Sequence, residues 1–198
     1  MSEERLAYFK AMVWASGAYA GGLMIVDSAG LPLDFRYTEP ITPTRLQEVL
    51  YGRSLDRFMR AEVLFRHLCT RIEPRPTLVL VDDEGLLSQP AASAVVYVAE
   101  TRLPPFSAAA ELHDVNECEW LLQVTEAGSP LRFKLHEPQA GDEEAVATWF
   151  LTAAAAGLDP LEPFNRVRAA LELACAPAAT PTAPSVLPIV RDTGGNQG

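Results

Sequence analysis

The sequence is poor in cysteine, in basic residues and in long hydrophobic runs. Its 198 residues include three cysteines, Cys69, Cys118 and Cys175, which are far apart and form no C-x-x-C pair. This number and spacing argue against a disulfide framework and against a structural zinc site. Because no run of about 18 apolar residues occurs, no membrane-spanning segment is predicted. Residues 1–20 lack the basic and apolar regions of a secretory signal, which favours a cytoplasmic location.

Basic charge is scarce and unevenly distributed. Sixteen Lys and Arg stand against 26 Asp and Glu, which gives a net charge of −10. Nucleic-acid binding depends on neutralising phosphates, so this balance makes nucleic acid an unfavoured, though not excluded, partner. The two halves differ, however. Residues 1–100 carry 10 basic and 13 acidic side chains, whereas residues 101–198 carry 6 and 13.

Apolar residues, by contrast, make up 48% of the chain, which is enough to form a folded core. Residues 3–15 have helical spacing and are predicted as a helix, although their alternation also fits a strand. Gly22–Val26 and Leu31–Thr38 flank an Asp-Ser-Ala-Gly turn, which predicts a β-hairpin. A capping-box pattern at Thr44 opens a short helix that ends at Gly52, and a longer helix follows from Ser54 to about residue 72.

The second half predicts more strands and a pair of helices. Segments 77–81 and 94–99 are typical of strands buried on both faces, and 119–125 and 130–136 flank a second hairpin turn. Helices are predicted over 143–156 and 160–174. The expected fold class is α/β, with a mixed β-sheet, helices packed against it and two C-terminal helices. Residues 1–175 are predicted to form one globular domain, and residues 176–198 a flexible Pro/Ala/Gly-rich tail.

An acidic turn, Asp82-Asp83-Glu84, directly follows the first of these buried strands. Open α/β sheets place their sites beyond the carboxyl ends of strands, and two or three carboxylates there can hold Mg²⁺ or Mn²⁺. The plain alternative is a structural turn, because Asp and Gly favour turns in any case.

A hairpin, a helix and then a buried strand ending in aspartate resemble the ribonuclease H-like nucleases. The run Pro-Thr-Leu-Val-Leu-Val-Asp at 76–82 is similar to the acid-ending strand of the endonuclease V family. The resemblance implies a metal-binding catalytic site of Asp82 and Asp83 with a helix carboxylate, Glu48 or Glu62. These nucleases also need an aspartate on their first strand, and segment 8–16 has no acid. The family's Asp-Gly is Asp82-Asp83 here, so the resemblance implies an incomplete enzyme.

A competing resemblance is to the roadblock/longin group of small adaptor domains. Residues 23–33 (LMIVDSAGLPL) form a hairpin pattern similar to theirs, and the order of elements around it is also similar. Those domains are interaction platforms, so this resemblance implies binding without catalysis.

Two further features favour a binding role. The first is a basic flank on the long helix, which can dock phosphate, carboxylate or an acidic partner and which comprises Arg53, Arg57, Arg60, His67 and Arg71. The alternative is a solvated helix face with local ion pairs. The second is an apolar island in the tail, Val186, Leu187 and Ile189, which can add to a sheet edge or fill a groove on a partner.

The sequence has no nucleophile elbow, P-loop or dinucleotide-binding motif. The favoured function is therefore a non-catalytic protein-interaction subunit or adaptor of a larger cytosolic complex, although an enzymatic role stays open. It would have no cofactor, no membrane partner, and a protein partner or second copy of itself. The alternative is a divalent-metal-dependent ribonuclease H-like nuclease, intact or degenerate, using Mg²⁺ or Mn²⁺.

Overall fold

The computed structural model describes residues 5–175 of the chain. In that range eight strands form one mixed sheet: β1 Leu6–Val13, β2 Tyr19–Val26, β3 Pro32–Tyr37, β4 Leu78–Val81, β5 Ala94–Glu100, β6 Leu112–Asn116, β7 Glu119–Leu122 and β8 Leu131–Leu135. The strand order across the sheet is β3-β2-β1-β4-β5-β8-β7-β6. Only the β1–β4 and β4–β5 pairs among these are parallel.

Four helices accompany the sheet: α1 Arg45–Tyr51, α2 over residues 55–69, α3 Asp142–Ala155 and α4 Glu162–Ala174. α2 covers one face, and α3 and α4 cover the other, whereas α1 buries no residue and packs against the start of α2. Within α2, Met59–Phe65 is a π-helix, a form that often marks functional positions because it rotates the following face of a helix. The expected fold class is thereby confirmed, including the pair of C-terminal helices. None of the helices in residues 5–175 has the length and apolarity needed to cross a membrane.

The helix predicted over residues 3–15 is wrong, because this segment is the central strand β1. It pairs antiparallel with β2 and parallel with β4, and both of its faces are covered. Leu6 and Tyr8 enter one core, whereas Ala7 and Phe9 enter the other. A strand that is apolar on both faces loses the alternation that identifies half-buried strands, so apolar residues also fall at helical spacing. The predictions for α1, its capping box and both hairpins are confirmed.

Two glycines in β2 let helices approach the sheet closely from both sides. A Cβ on Gly21 would lie 3.0 Å from Leu64 Cβ in α2, and one on Gly22 would lie 3.0 Å from Val167 Cγ1 in α4. Strand glycines commonly mark such close approaches. Gly21 and Gly22 therefore mark a tightly packed part of the strand.

The three thiols differ in burial, which predicts their reactivity. Cys118 is exposed, Cys69 is half-buried and Cys175 is buried. Burial raises the pKa of the Cys69 thiol to about 12 and also raises that of Cys175. Because the thiolate is the reactive form, we expect one fast-reacting thiol per chain with Ellman's reagent at pH 8. Cys118→Ser should remove the fast phase, and two or more fast thiols in the folded protein would contradict this burial pattern.

Candidate functional site at the end of strand β4

The parallel pairing of β1 with β4 brings Lys10 next to Asp82. The register runs from Leu6 opposite Leu78 to Phe9 opposite Val81, so the next residues along the two strands are neighbours. The Lys10 ammonium donates a hydrogen bond to an Asp82 carboxylate oxygen, and the two form an ion pair. Both side chains are partly exposed, Lys10 at 22% and Asp82 at 35%. The aspartate that ends β4 is therefore neutralised by the strand beside it.

Asp83 has a different cationic partner. Successive residues of an extended segment point to opposite faces of a sheet, and Asp83 lies within reach of α2, where Arg60 Nη1 is 3.9 Å from its Oδ2. Its Oδ1 accepts a hydrogen bond from the Gly85 backbone N–H at 2.9 Å, which caps a short 3₁₀ helix. Arg60 also binds Asp56 one helical turn earlier, at 2.9 Å. Asp82 and Asp83 thus engage separate cations instead of converging.

Glu84 completes the same pattern with a third basic residue. Lys134 Nζ on β8 donates a hydrogen bond to Glu84 Oε1 at 3.0 Å, and it lies 3.2 Å from Glu119 Oε2. The hydrogen bond to Glu84, with that to Glu119, raises the pKa of Lys134 despite partial burial. Each residue of the acidic turn therefore faces one cation, and the three cations come from three different elements, β1, α2 and β8.

These residues do not fit the divalent-metal site that the nuclease resemblance implies. Such a site needs several oxygen ligands around one point, and an ammonium group beside the main ligand repels a cation. In residues 5–175 no three His, Cys, Asp or Glu side chains are grouped to hold a metal ion.

The helix carboxylates named above are paired elsewhere. Glu48 binds Arg45 at 2.8 Å within α1, and Glu62 binds Arg66 at 3.1 Å within α2. Neither has an ion pair or hydrogen bond with Asp82 among residues 5–175.

The basic flank is divided between two roles. Arg60 is half-buried and faces acids, whereas Arg53, Arg57, His67 and Arg71 are exposed. Across residues 5–175, no ion pair involves Arg53, Arg57 or Arg71. Their guanidinium groups are available to an anionic ligand. The tail residues Val186, Leu187 and Ile189 lie outside the described residues.

Sequence reasoning missed Lys10 and Lys134, although one available signal would have found the first. A helix over residues 3–15 gives Lys10 no defined neighbour on another strand. Once the segment is a strand parallel to β4, its one basic residue falls opposite Asp82. Lys134 could not be placed in this way, because its contact with Glu84 depends on the position of a strand 50 residues further along the chain.

The chain resembles solved structures of endonuclease V. Endonuclease V from Streptomyces avermitilis superposes with a TM-score of 0.57 at 12% identity, covering 88% of this chain and 85% of that one. The human enzyme gives 0.55 at 13% identity, with coverages of 85% and 82%. The Ciona intestinalis enzyme gives 0.50 at 12% identity, with coverages of 87% and 88%, and was solved with a 24mer DNA containing an inosine followed by a ribo-adenosine. Neither a protein-family model nor a curated protein matches the chain by sequence.

These likenesses confirm the ribonuclease H-like resemblance and give no support to the roadblock/longin one. They also overturn the favoured function. The prediction of a non-catalytic protein-interaction subunit or adaptor is wrong, because the structural neighbours are nucleases. The likeness is to the fold that the alternative, a ribonuclease H-like nuclease in intact or degenerate form, implies. The expectations of a protein partner and of no cofactor are likewise unsupported by these neighbours.

Proposed function

We propose that this chain is a degenerate ribonuclease H-like nuclease, which binds nucleic acid where β4 ends beside β1 but does not use Asp82 for metal-dependent hydrolysis. The observation that carries the proposal is the Lys10–Asp82 ion pair, at the position where the nuclease resemblance implies a metal ligand. The endonuclease V-like fold, and the DNA bound to the Ciona protein, support nucleic acid as the ligand class.

Local charge also supports this ligand class. Residues 45–60, which span α1 and the start of α2, carry four arginines and two acidic residues, a net charge of +2 in a chain of −10. Arg53 lies in the 3₁₀ turn just before α2 and Arg57 in its first turn, and Arg60, one turn later, reaches the acidic turn, so Arg53 and Arg57 lie at the end of α2 that is near Asp83. Guanidinium groups suit phosphate oxygens because they donate two hydrogen bonds in a fixed geometry. The overall acidity of the chain therefore does not describe this surface.

The metal that the resemblance implies would be Mg²⁺ or Mn²⁺, and it would polarise a phosphate and activate water. Asp82 is the one residue here that matches the family's strand-end ligand. β1 has no acid of the kind that the resemblance implies for the first strand, and the β1 residue beside Asp82 is Lys10. An Asp–Lys pair balances its own charge and leaves little attraction for a dication. We therefore expect this chain to bind a nucleic-acid strand without carrying out a metal-dependent step.

The test combines binding with cleavage. Fluorescence anisotropy would measure binding of labelled single-stranded and duplex DNA and RNA, with and without inosine, in EDTA and in Mg²⁺ or Mn²⁺. We expect binding to at least one of these strands that is unchanged by EDTA, and no cleavage product in either metal.

Two outcomes would overturn the proposal. The first is the absence of binding to every strand. The second is metal-dependent cleavage that is lost in Asp82→Asn but retained in Asp114→Asn, a matched change at an exposed residue of β6. A contaminating nuclease would act equally in both variants.

A further inference from the structure

We infer that the Lys10 ammonium takes the place of the divalent cation of the nuclease fold, so that this edge of the sheet is held together by a built-in cation and binds no metal. The inference deepens the proposed function, because it treats this edge as the counterpart of a metal centre. Its test measures metal binding and thermal stability, which do not depend on any nucleic acid.

The first support is position. Lys10 follows Phe9 on β1 as Asp82 follows Val81 on β4, and the parallel register places both side chains at one point of the sheet edge. A carboxylate from β1 at this place would stand beside the carboxylate from β4. Two carboxylates so placed repel each other unless a cation lies between them. A lysine in place of one of them removes the repulsion and the need for that cation.

The second support is that basic side chains contact every residue of the acidic turn, not Asp82 alone. Arg60, which also binds Asp56, approaches Asp83, and Lys134, which also binds Glu119, binds Glu84, so each remaining acid also has a basic partner from the chain itself. The three basic side chains come from separate elements of the fold, so these contacts are not part of one local turn motif. Their arrangement accounts for an acidic strand end without any metal.

The test titrates the native chain and Lys10 variants with Mn²⁺. Isothermal calorimetry measures the binding, and the melting temperature is measured with and without Mn²⁺. For the native chain, we expect Mn²⁺ to give no binding heat and no rise in melting temperature beyond those seen with Asp82→Asn. Lys10→Asp restores a β1 carboxylate, and we expect it to gain Mn²⁺ affinity at least about tenfold over Lys10→Met, because a second oxygen ligand is added. Its melting temperature should rise by about 5 °C or more in a hundredfold excess of Mn²⁺ over the dissociation constant.

Matched variants assign the site. Lys10→Met removes the same ammonium without adding a ligand, and Lys10→Asp/Asp82→Asn removes one of the two carboxylates, so both should lack the gain. If Lys10→Asp folds only with Mn²⁺ present, that dependence is itself the expected coupling of metal binding to folding.

Two results would overturn the inference. One is Mn²⁺ binding by the native chain that is lost in Asp82→Asn. The other is Lys10→Asp binding Mn²⁺ no better than Lys10→Met. If Lys10→Asp does not fold in any buffer, the native titration against Asp82→Asn still decides whether the built-in cation excludes metal. Loss of nucleic-acid binding with these metal results intact would refute the proposed function alone.

Discussion

Replacing Phe65 by alanine is expected to lower the free energy of unfolding by about 3–5 kcal/mol. Phe65 ends the π-helical part of α2, is fully buried, and packs edge-on against Phe9 of β1 with ring centroids 5.0 Å apart. The substitution removes most of a large apolar side chain and leaves a cavity between helix and sheet, so both the transfer and cavity terms oppose folding. Urea unfolding followed by circular dichroism measures the change.

The control for this prediction is Leu46→Ala on α1. Leu46 is 67% exposed, so its truncation creates no cavity and is expected to change stability by less than about 0.5 kcal/mol. A loss below about 1 kcal/mol for Phe65→Ala would mean that α2 does not pack on β1 as described. Because α2 also carries Arg60 to Asp83, the same packing fixes the position of Arg60 in the candidate site.

Local sequence patterns were sufficient for the elements whose signals are local. The turn at Asp27 has its own chemistry, since the side chain accepts hydrogen bonds from Ala29 and Leu31 N–H, and Thr44 forms a capping box with Gln47. Such signals do not depend on the rest of the fold. They predicted the hairpin and α1 correctly.

The elements that were missed depend on non-local contacts. The sequence of β1 fits both a helix and a strand, and the choice between them requires the knowledge that α2 and α4 cover both of its faces. β6 carries the residues Leu-His-Asp-Val-Asn and is mostly exposed, so it lacks an apolar pattern and exists because β7 pairs with it. Tertiary pairing outweighs intrinsic propensity most easily at such sheet positions.

The candidate site shows the same division. The position of Asp82 at a strand end followed from the apolar run that precedes it. The Lys10 contact required the parallel register, and the contacts of Arg60 and Lys134 required the packing of α2 and β8. Acidic residues can be counted from a sequence, but whether they converge on a metal or separate onto different cations depends on strand direction and face.

Reversing the charge of two arginines at the start of α2, by Arg53→Glu together with Arg57→Glu, is expected to weaken nucleic-acid binding roughly 50-fold at 0.1 M salt. Both side chains are exposed and lack ion pairs among residues 5–175, so each can neutralise one phosphate. Each phosphate contact to duplex DNA contributes about 0.9 to the slope of log affinity against log salt. The double variant should therefore reduce the magnitude of that slope by about 2, which anisotropy titrations at several salt concentrations measure.

The control carries the same charge at a different place. Arg75→Glu/Arg168→Glu also changes the net charge from −10 to −14, but Arg75 precedes β4 at the opposite edge of the sheet and Arg168 lies on α4. If binding responded only to the overall charge of the chain, both double variants would lose affinity equally. A local phosphate surface predicts a large loss for the α2 pair and a small loss for the control. Equal losses would remove the support that the basic face of α2 gives to nucleic-acid binding, because the long-range field would then explain the affinity without any contact.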